Sequence, residues 1–284
     1  MKTLCRSLPP LALVLPFSVA PALAETPISG DPVFDRAVML IEENFYAPVE
    51  LDGFHAAVEA VIAGFPDLRN ADPAVLDDAI AFVIDSMGVS HTGRFVPDQV
   101  DYYELVDVFR YGLRDNIRRL FPPDGEVSYA GIGIASRKID GQTFVTDVYD
   151  GGPADRAGLL VGDEVLTVDG EPFAEVGSFR GKAGGEAVVT VRRRAGEAPI
   201  DIRVAVERIE PSDAFVEAIE ESAEVIDHNG YRIGYLRLWA YTERQVESVI
   251  ERAITGELAD ADALVLDLRS RWGGAPADAA DSFV

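Results

Sequence analysis

The feature that most constrains the fold is a change of hydrophobic period at Pro122-Pro123-Asp124-Gly125. Between Asp31 and Phe109, apolar residues recur at helical spacing, whereas from Val127 onwards the spacing becomes strand-like. A helical segment is therefore predicted to precede a small β-rich module. With 284 residues, the chain is long enough for about two domains or slightly more.

The helical segment shows two start signals, Asp31-Pro32 and Asp72-Pro73, each a capping residue followed by proline at the first helical position. One apolar stripe follows each signal: Phe34, Val38, Ile41 and Phe45, then Leu76, Ile80, Val83 and Met87. The stripes predict core-facing helix surfaces, and nothing in them indicates a cofactor site.

The β-rich module contains two hairpin turns, Asp140-Gly141 and Asp169-Gly170, between runs with strand character. A short helix should begin at Pro153 and end at Gly158, and a second should cover 174–182. The predicted strands are 127–137, 142–149, 164–168, 187–193 and 200–207.

A third segment begins near Pro211, where Ser212 is expected to cap a short helix. After a hairpin at His228-Asn229-Gly230, a helix over 243–254 leads to the continuously apolar run 263–268, which is typical of a buried parallel strand. Strand, helix and strand make a βαβ unit. We therefore predict an α+β multidomain fold with the ranges 1–24, 25–122, 123–208 and 209–284, the last being the beginning of an α/β core.

The first 24 residues predict a signal peptide. Lys2 and Arg6 precede an apolar stretch, and Ala22-Leu23-Ala24 fits a signal-peptidase site. The stretch is too short to span a bilayer. The protein is thus expected to be exported, periplasmic or extracellular, and soluble after cleavage. Because the single cysteine, Cys5, lies in this leader, no disulfide is expected in the mature chain.

The net charge of −24 disfavours nucleic acid as a partner, because a strongly acidic protein repels phosphate backbones. His55, His91 and His228 lie in different segments without metal-ligand spacing, so neither a metal nor another cofactor is expected. A Ser/His/Asp triad stays open, although the chain has no nucleophile-elbow motif.

Three motifs together resemble a bacterial PDZ domain: Ala130–Ile134, Gly152–Leu159 and Gly162–Val165. Gly131 and Gly133 can leave backbone amides exposed around Ile132, forming an anion site for the terminal carboxylate of a peptide. The peptide would then add as a strand beside residues 133–136, including Ile134. The alternative is that the glycines merely permit a bulge. The resemblance implies that Val176 and Phe179, on a facing helix, receive apolar C-terminal side chains.

Flanking motifs resemble the C-terminal processing (tail-specific) serine peptidases. They are Ser90-His91-Thr92-x-x-Phe95, Gly234–Leu238, and Ala263–Arg269 followed by Gly273-Gly274. The resemblance implies serine attack with a lysine base and no metal, and it assigns Gly273 and Gly274 to an oxyanion hole. Arg271 and Trp272 stand where the family commonly has asparagine followed by proline or glycine.

The family nucleophile and base are expected beyond Gly274, and the chain ends at Val284. This chain is therefore expected to be catalytically inactive by itself and to be a truncated form of such a peptidase. The alternative is a non-catalytic periplasmic adaptor that binds peptides through its PDZ domain. In either case the expected partners are proteins or peptides with free apolar C-termini. The sequence leaves three questions open: the physiological substrate, the oligomeric state, and whether the PDZ domain activates or inhibits the protease core.

Overall fold

A computed structural model describes residues 29–47, 51–89, 92–242, 244–269 and 272–273. The predicted leader, Ser90-His91 and Gly274 lie outside these residues. The chain divides into two compact units, the first ending at Arg94 and the second beginning at Phe95. Residues 95–122, predicted to belong to the helical segment, thus pack with the β-rich module and the α/β segment.

The first unit is helical and confirms the two predicted apolar stripes. Its helices are α1 (Pro32–Asn44), α2 (Asp52–Gly64) and α3 (Pro73–Asp85), with a 3-10 turn at Leu68–Asn70. Their inward faces form one core that includes Phe34, Val38, Phe54, Val58, Leu68, Ile80 and Val83. The helical spacing of these residues thus brings them together on one side of each helix.

Helix α1 begins as the sequence predicts, because Asp31 caps it. A carboxylate oxygen of Asp31 accepts hydrogen bonds from the backbone N of Val33 and of Phe34, both at 2.9 Å. We expect Asp31→Ala to lower the free energy of unfolding by about 1 kcal/mol, whereas Asp31→Asn should preserve most of it. Chemical denaturation followed by circular dichroism measures the difference, and equal losses for the two variants would contradict the capping role.

The second unit contains the remaining elements. Its helices are α4 (Val100–Val108), α5 (Arg114–Leu120), α6 (Pro153–Ala157), α7 (Pro211–Glu221) and α8 (Arg244–Thr255). Its strands are β1 (Tyr129–Gly131), β2 (Ile134–Ile139), β3 (Gln142–Val148), β4 (Glu164–Val168), β5 (Glu171–Pro172), β6 (Glu186–Arg192), β7 (Ile200–Ala205), β8 (Glu207–Ile209), β9 (Glu224–His228), β10 (Tyr231–Arg237) and β11 (Ala263–Asp267).

The β-rich module is an antiparallel sheet in the order β2-β3-β4-β6-β7, with β5 paired to β4. The two predicted hairpin turns are confirmed, with positive φ at Asp140, Gly141, Asp169 and Gly170. Helix α6 ends as predicted at Gly158, which adopts the left-handed conformation that glycine favours.

Two predictions for this module need correction. The predicted strand 127–137 is divided at Gly133, whose φ of +74° separates β1 from β2. The predicted helix 174–182 is a single 3-10 turn at Gly177–Phe179. Glycines at 177 and 181, the latter with φ +77°, disfavour a longer helix there.

The last segment confirms the predicted βαβ unit. Strand β10 pairs with β11 in parallel, Leu236 lying opposite Leu266, and α8 connects them. Strand β9 extends this sheet on the other side of β10 through the predicted hairpin. The capping prediction for Ser212 is wrong: Pro211 is the first helical residue of α7 and Glu210 is the N-cap.

Helix α4 joins the β-rich module to the α/β segment. Asp107, buried on α4, accepts a hydrogen bond from the backbone N of Ser212 at 2.8 Å. One continuous core contains residues of α4, the β-rich module, α7, α8 and β10, among them Val100, Tyr149, Val176, Phe215, Ile219, Leu236, Trp239, Val246 and Val249. These parts therefore share a hydrophobic core in this unit.

In the portions of the chain that the structure describes, no helix combines the length and the apolar character needed to cross a membrane.

Candidate peptide-binding loop and oxyanion loop

The predicted carboxylate cradle lies between β1 and β2. The carbonyl oxygens of Ile132 and Gly133 are paired, accepting from the backbone N of Ala154 (2.9 Å) and of Tyr149 (3.0 Å). The backbone N of Ile132 and that of Gly133 have no hydrogen-bond acceptor among the described residues. Carbonyls that are held inward and neighbouring amides that are left unpaired form the arrangement in which a backbone loop can bind an anion.

Strand β2 lies at the edge of the sheet. It pairs with β3 alone within the described ranges, so its other side offers backbone groups to an added strand. The side chain of Glu175 lies close to this side: its carboxylate accepts from Ser136 Oγ at 2.5 Å and from the backbone N of Val100 at 3.1 Å. Glu175 therefore connects β2, the 3-10 turn segment and the start of α4.

The two residues that were expected to contact the peptide's apolar side chains are buried in this conformation. Val176 and Phe179 are 3% and 1% exposed and pack in two different cores. Gly131 to Ala135 are also buried. The structure therefore brings Phe179, Ile132 and Ile134 together in one core and places Val176 in the other, with all of these residues buried.

The predicted oxyanion loop follows β11. Asp267, at the end of this strand, receives hydrogen bonds from Arg269 and from the hydroxyl of Tyr235. The bonds from Arg269 hold the pKa of Asp267 below its ordinary value. The backbone N of Leu238 donates to the Asp267 carbonyl at 2.9 Å, and that of Tyr241 donates to the Gly273 carbonyl at 3.0 Å. The segment is thus bound to the chain that follows β10.

Trp272 fixes the loop on its other side. Its indole Nε1 donates to Glu104 Oε2 at 2.6 Å, and its ring meets Phe95 edge to face with centroids 6.0 Å apart. Glu104, on α4, also accepts a hydrogen bond at Oε1 from the hydroxyl of Tyr149. Burial raises the pKa of Glu104 to about 7 against the lowering effect of these two donors.

A second set of contacts connects the β-rich module to β10. Arg237 donates to Asp147 at 2.6 Å and places its guanidinium 3.7 Å from the centre of the Trp239 ring. Trp239 Nε1 donates to Asp150 at 2.8 Å. Asp147 belongs to β3 and Asp150 follows it, so the end of β3 is bound at two positions by the end of β10 and the residues after it.

The sequence interpretation did not single out Glu104. It lies four residues after Val100 and four before Val108, both buried, so it occupies the inward face of α4. The signal available in the sequence was an acidic residue at helical spacing from two apolar residues, which indicates a buried carboxyl group. Across the described residues, no three His, Cys, Asp or Glu side chains are grouped as a metal site.

Comparison with known proteins agrees with the motifs. A family profile described as PDZ domain matches residues 144–193. The carboxy-terminal processing protease CtpB of Bacillus subtilis is 26% identical over 176 residues, covering 60% of this chain and 35% of the relative. The carboxyl-terminal-processing peptidase 3, chloroplastic, of Arabidopsis thaliana is 24% identical over 283 aligned residues, covering 91% of this chain and 50% of the relative.

Solved structures that resemble the chain include a photosystem II D1 C-terminal processing protease, with a TM-score of 0.48 and 17% identity, covering 84% of this chain and 60% of that one. Another is the PDZ domain of a carboxy-terminal protease from Vibrio cholerae in complex with peptide, with a TM-score of 0.26 and 22% identity, covering 29% of this chain and 97% of that one. The chain spans 35% and 50% of the two curated relatives above. The chain thus contains a segment that matches a PDZ domain and is similar in sequence to carboxy-terminal processing proteases.

Proposed function

We propose that this chain is the substrate-recognising portion of an exported serine endopeptidase that cleaves proteins near their C-termini. The observation that carries the proposal is the pair of unpaired amides at Ile132 and Gly133, beside the free edge of β2. These residues precede the segment 144–193 that matches a PDZ-domain profile. A terminal carboxylate accepts hydrogen bonds from two such amides, while the peptide backbone extends β2.

Peptide binding requires this site to open. A strand added along β2 would meet the hydrogen bond between Ser136 and Glu175, which has to part for the peptide to pass. Opening would also uncover Val176 and Phe179, which then contact apolar side chains at the peptide terminus. The interactions that the peptide forms have to offset the loss of these internal contacts. We therefore expect a moderate binding affinity.

The catalytic role proposed for the C-terminal segment is stabilisation of the tetrahedral intermediate. The backbone N of Gly273, with that of Gly274, would donate to the developing oxyanion, an interaction of the kind that contributes about 10²–10³ in rate. A β-carbon added at Gly273 would meet no atom within 4 Å, so the segment has open space beside it. Serine as nucleophile and lysine as base complete the proposed reaction in the whole protein, without a metal.

Export is proposed from the leader alone. Lys2 and Arg6, the apolar stretch and Ala22-Leu23-Ala24 occur in the order that signal peptidase requires. N-terminal sequencing of the secreted protein should find Glu25 first, and an intact Met1 on an exported product would contradict the assignment.

The binding proposal predicts a strong preference for a free C-terminus. A short peptide ending in apolar residues should bind at least about tenfold more tightly than the same peptide amidated at its terminus, because one lost charge-assisted hydrogen bond costs about 1.5–3 kcal/mol. Isothermal titration calorimetry measures both affinities. Gly133→Val should weaken binding of the free peptide. A φ of +74° strains any β-branched residue, so this substitution should disturb the cradle. Equal affinity for both peptides would overturn the carboxylate site.

A further inference from the structure

Glu104 occupies a position at which three parts of the second unit meet. It lies on α4 and is 0% exposed, one carboxylate oxygen accepting from the Tyr149 hydroxyl and the other from Trp272 Nε1. Tyr149 directly follows β3, within the segment that matches a PDZ domain, and Trp272 precedes Gly273 in the proposed oxyanion loop. A single buried carboxyl group thus receives one donor from each of the two candidate sites.

Tyr149 is joined directly to the cradle. Its backbone N donates to the Gly133 carbonyl at 3.0 Å, and its carbonyl accepts from the backbone N of Gly152 at 2.9 Å. A β-carbon on Gly133 would lie 3.4 Å from the Tyr149 ring, so backbone and ring both pack against this loop. A shift of the loop on peptide binding would therefore move the Tyr149 side chain and its hydroxyl.

Trp272 is joined as closely to the oxyanion loop. Gly273 is its neighbour in the chain, and the Gly273 carbonyl is held by the backbone N of Tyr241. The indole has Glu104 as a hydrogen-bond acceptor and packs edge to face on Phe95. Movement of the Glu104 carboxyl group would thus change the anchor of the residue preceding Gly273.

We propose that Glu104 is a positioning residue that couples occupancy of the peptide-carboxylate cradle to the geometry of the oxyanion loop, through Tyr149 on one side and Trp272 on the other. The inference rests on the proposed function, which assigns peptide binding to the cradle and oxyanion stabilisation to the loop. The connection between these two parts rests on the hydrogen bonds of Glu104. Because binding free energies are reciprocal, a change at the oxyanion loop alters peptide affinity as much as the peptide alters the loop.

The charge of Glu104 matters for this coupling. A carboxylate accepts at both oxygens, while glutamine accepts at one and offers an N–H to the other donor. Groups on other elements also act on Glu104: Tyr149 and Trp272 lower its pKa by hydrogen bonding, whereas the negative charges of Glu175 and Asp147 raise it. The indole of Trp272 can only donate, so the glutamine oxygen would face it and the amide N–H would face the Tyr149 hydroxyl, which then has to accept. Glu104→Gln therefore keeps the size of the side chain, removes its titration and reverses the hydrogen bond with Tyr149.

The two tryptophans in the sequence allow a direct test by NMR. With ¹⁵N-labelled tryptophan the full chain should give two indole N–H resonances, and the one lost in Trp272→Phe belongs to Trp272. The Trp272 resonance should shift with pH, with a midpoint near the pKa of about 7 that Glu104 has, and this titration should vanish in Glu104→Gln. The Trp239 resonance reports whether each variant is folded.

The decisive variant is Tyr149→Phe, which removes one hydroxyl on the PDZ side of Glu104. Coupling predicts that this change displaces the Trp272 resonance and its pH midpoint in the folded protein. An unmoved Trp272 resonance in folded Tyr149→Phe, or a wild-type titration retained in Glu104→Gln, would overturn the proposal. A purely structural role for Glu104 would produce the titration, because Trp272 donates directly to its carboxyl group, but addition of peptide would then leave the Trp272 resonance unshifted.

The same sample separates this inference from the proposed function. Addition of an apolar peptide with a free C-terminus should shift the Trp272 resonance in the wild type and leave it unshifted in Tyr149→Phe, which lacks the hydroxyl that contacts Glu104. If the peptide binds without a shift in the wild type, the coupling is wrong and the binding site stands. If no peptide binds while Tyr149→Phe still displaces Trp272, the binding site is wrong and the connection through Glu104 stands.

Discussion

Trp239→Ala is expected to lower the free energy of unfolding of the second unit by about 3–5 kcal/mol, the range for removing a large aromatic residue from a core. Trp239 is fully buried, stacks with Phe215 at 6.2 Å between centroids and meets Tyr149 edge to face at 5.1 Å. Its removal leaves a cavity in the shared core and also leaves Asp150 without its indole donor. Chemical denaturation followed by circular dichroism measures the loss.

Two variants control this measurement. Trp239→Phe keeps an aromatic ring for Phe215 but removes the hydrogen bond to Asp150, so it should cost less than the alanine variant. Phe82→Ala removes an exposed aromatic side chain from α3 and should change stability by no more than about 0.5 kcal/mol. A loss from Trp239→Ala as small as that from Phe82→Ala would contradict the central place of Trp239 in this core.

Stability is expected to fall as pH rises from about 4.5 to about 7, because of Glu104. Its pKa is raised from 4.5 to about 7, so within this range the folded protein holds a proton that the unfolded chain has released. The free energy of unfolding therefore decreases with pH until Glu104 is ionised in both states. A difference of this size between the two pKa values corresponds to about 3 kcal/mol.

Glu104→Gln isolates this effect, since the variant cannot titrate. Urea denaturation at several pH values should show a flatter pH dependence in the variant than in the wild type between pH 4.5 and 7. Asp150 also has a pKa raised by burial and acts in the same direction, which is why the variant is compared rather than the wild-type slope alone. Asp267 acts in the opposite sense, since its lowered pKa makes its stabilisation disappear only as the pH falls below its ordinary value of 3.8. Equal slopes in both proteins would rule out Glu104 as the cause.

Local patterns predicted most secondary structure in the described chain. The stripe from Phe34 to Ile41 places these residues on the inward face of α1, and Asp140-Gly141 forms the turn that its composition indicates. Such features depend on residues close in sequence, whose conformational preferences act before any tertiary contact forms. The domain boundaries and the assignment of individual site residues stay predictions.

The errors concern features that local patterns leave open. The segment 174–182 has enough apolar residues for a helix, yet two glycines and the packing of Val176 and Phe179 in different cores leave only a 3-10 turn. Ser212 is a suitable cap by type, but Pro211 already begins α7, and the backbone N of Ser212 is bonded to Asp107 of α4.

The sequence by itself determined most of the helical and strand segments and the motifs that resemble a PDZ domain, because periodicity, turn residues and glycine spacing are local properties. Only the tertiary structure decided that Val176 and Phe179 are buried and that Glu104 accepts hydrogen bonds from Tyr149 and Trp272. Glu104 is 168 residues from Trp272, and Tyr149 is 45 residues from Glu104. No local preference specifies contacts over such separations, since they depend on how α4, β3 and the loop after β11 pack around one core.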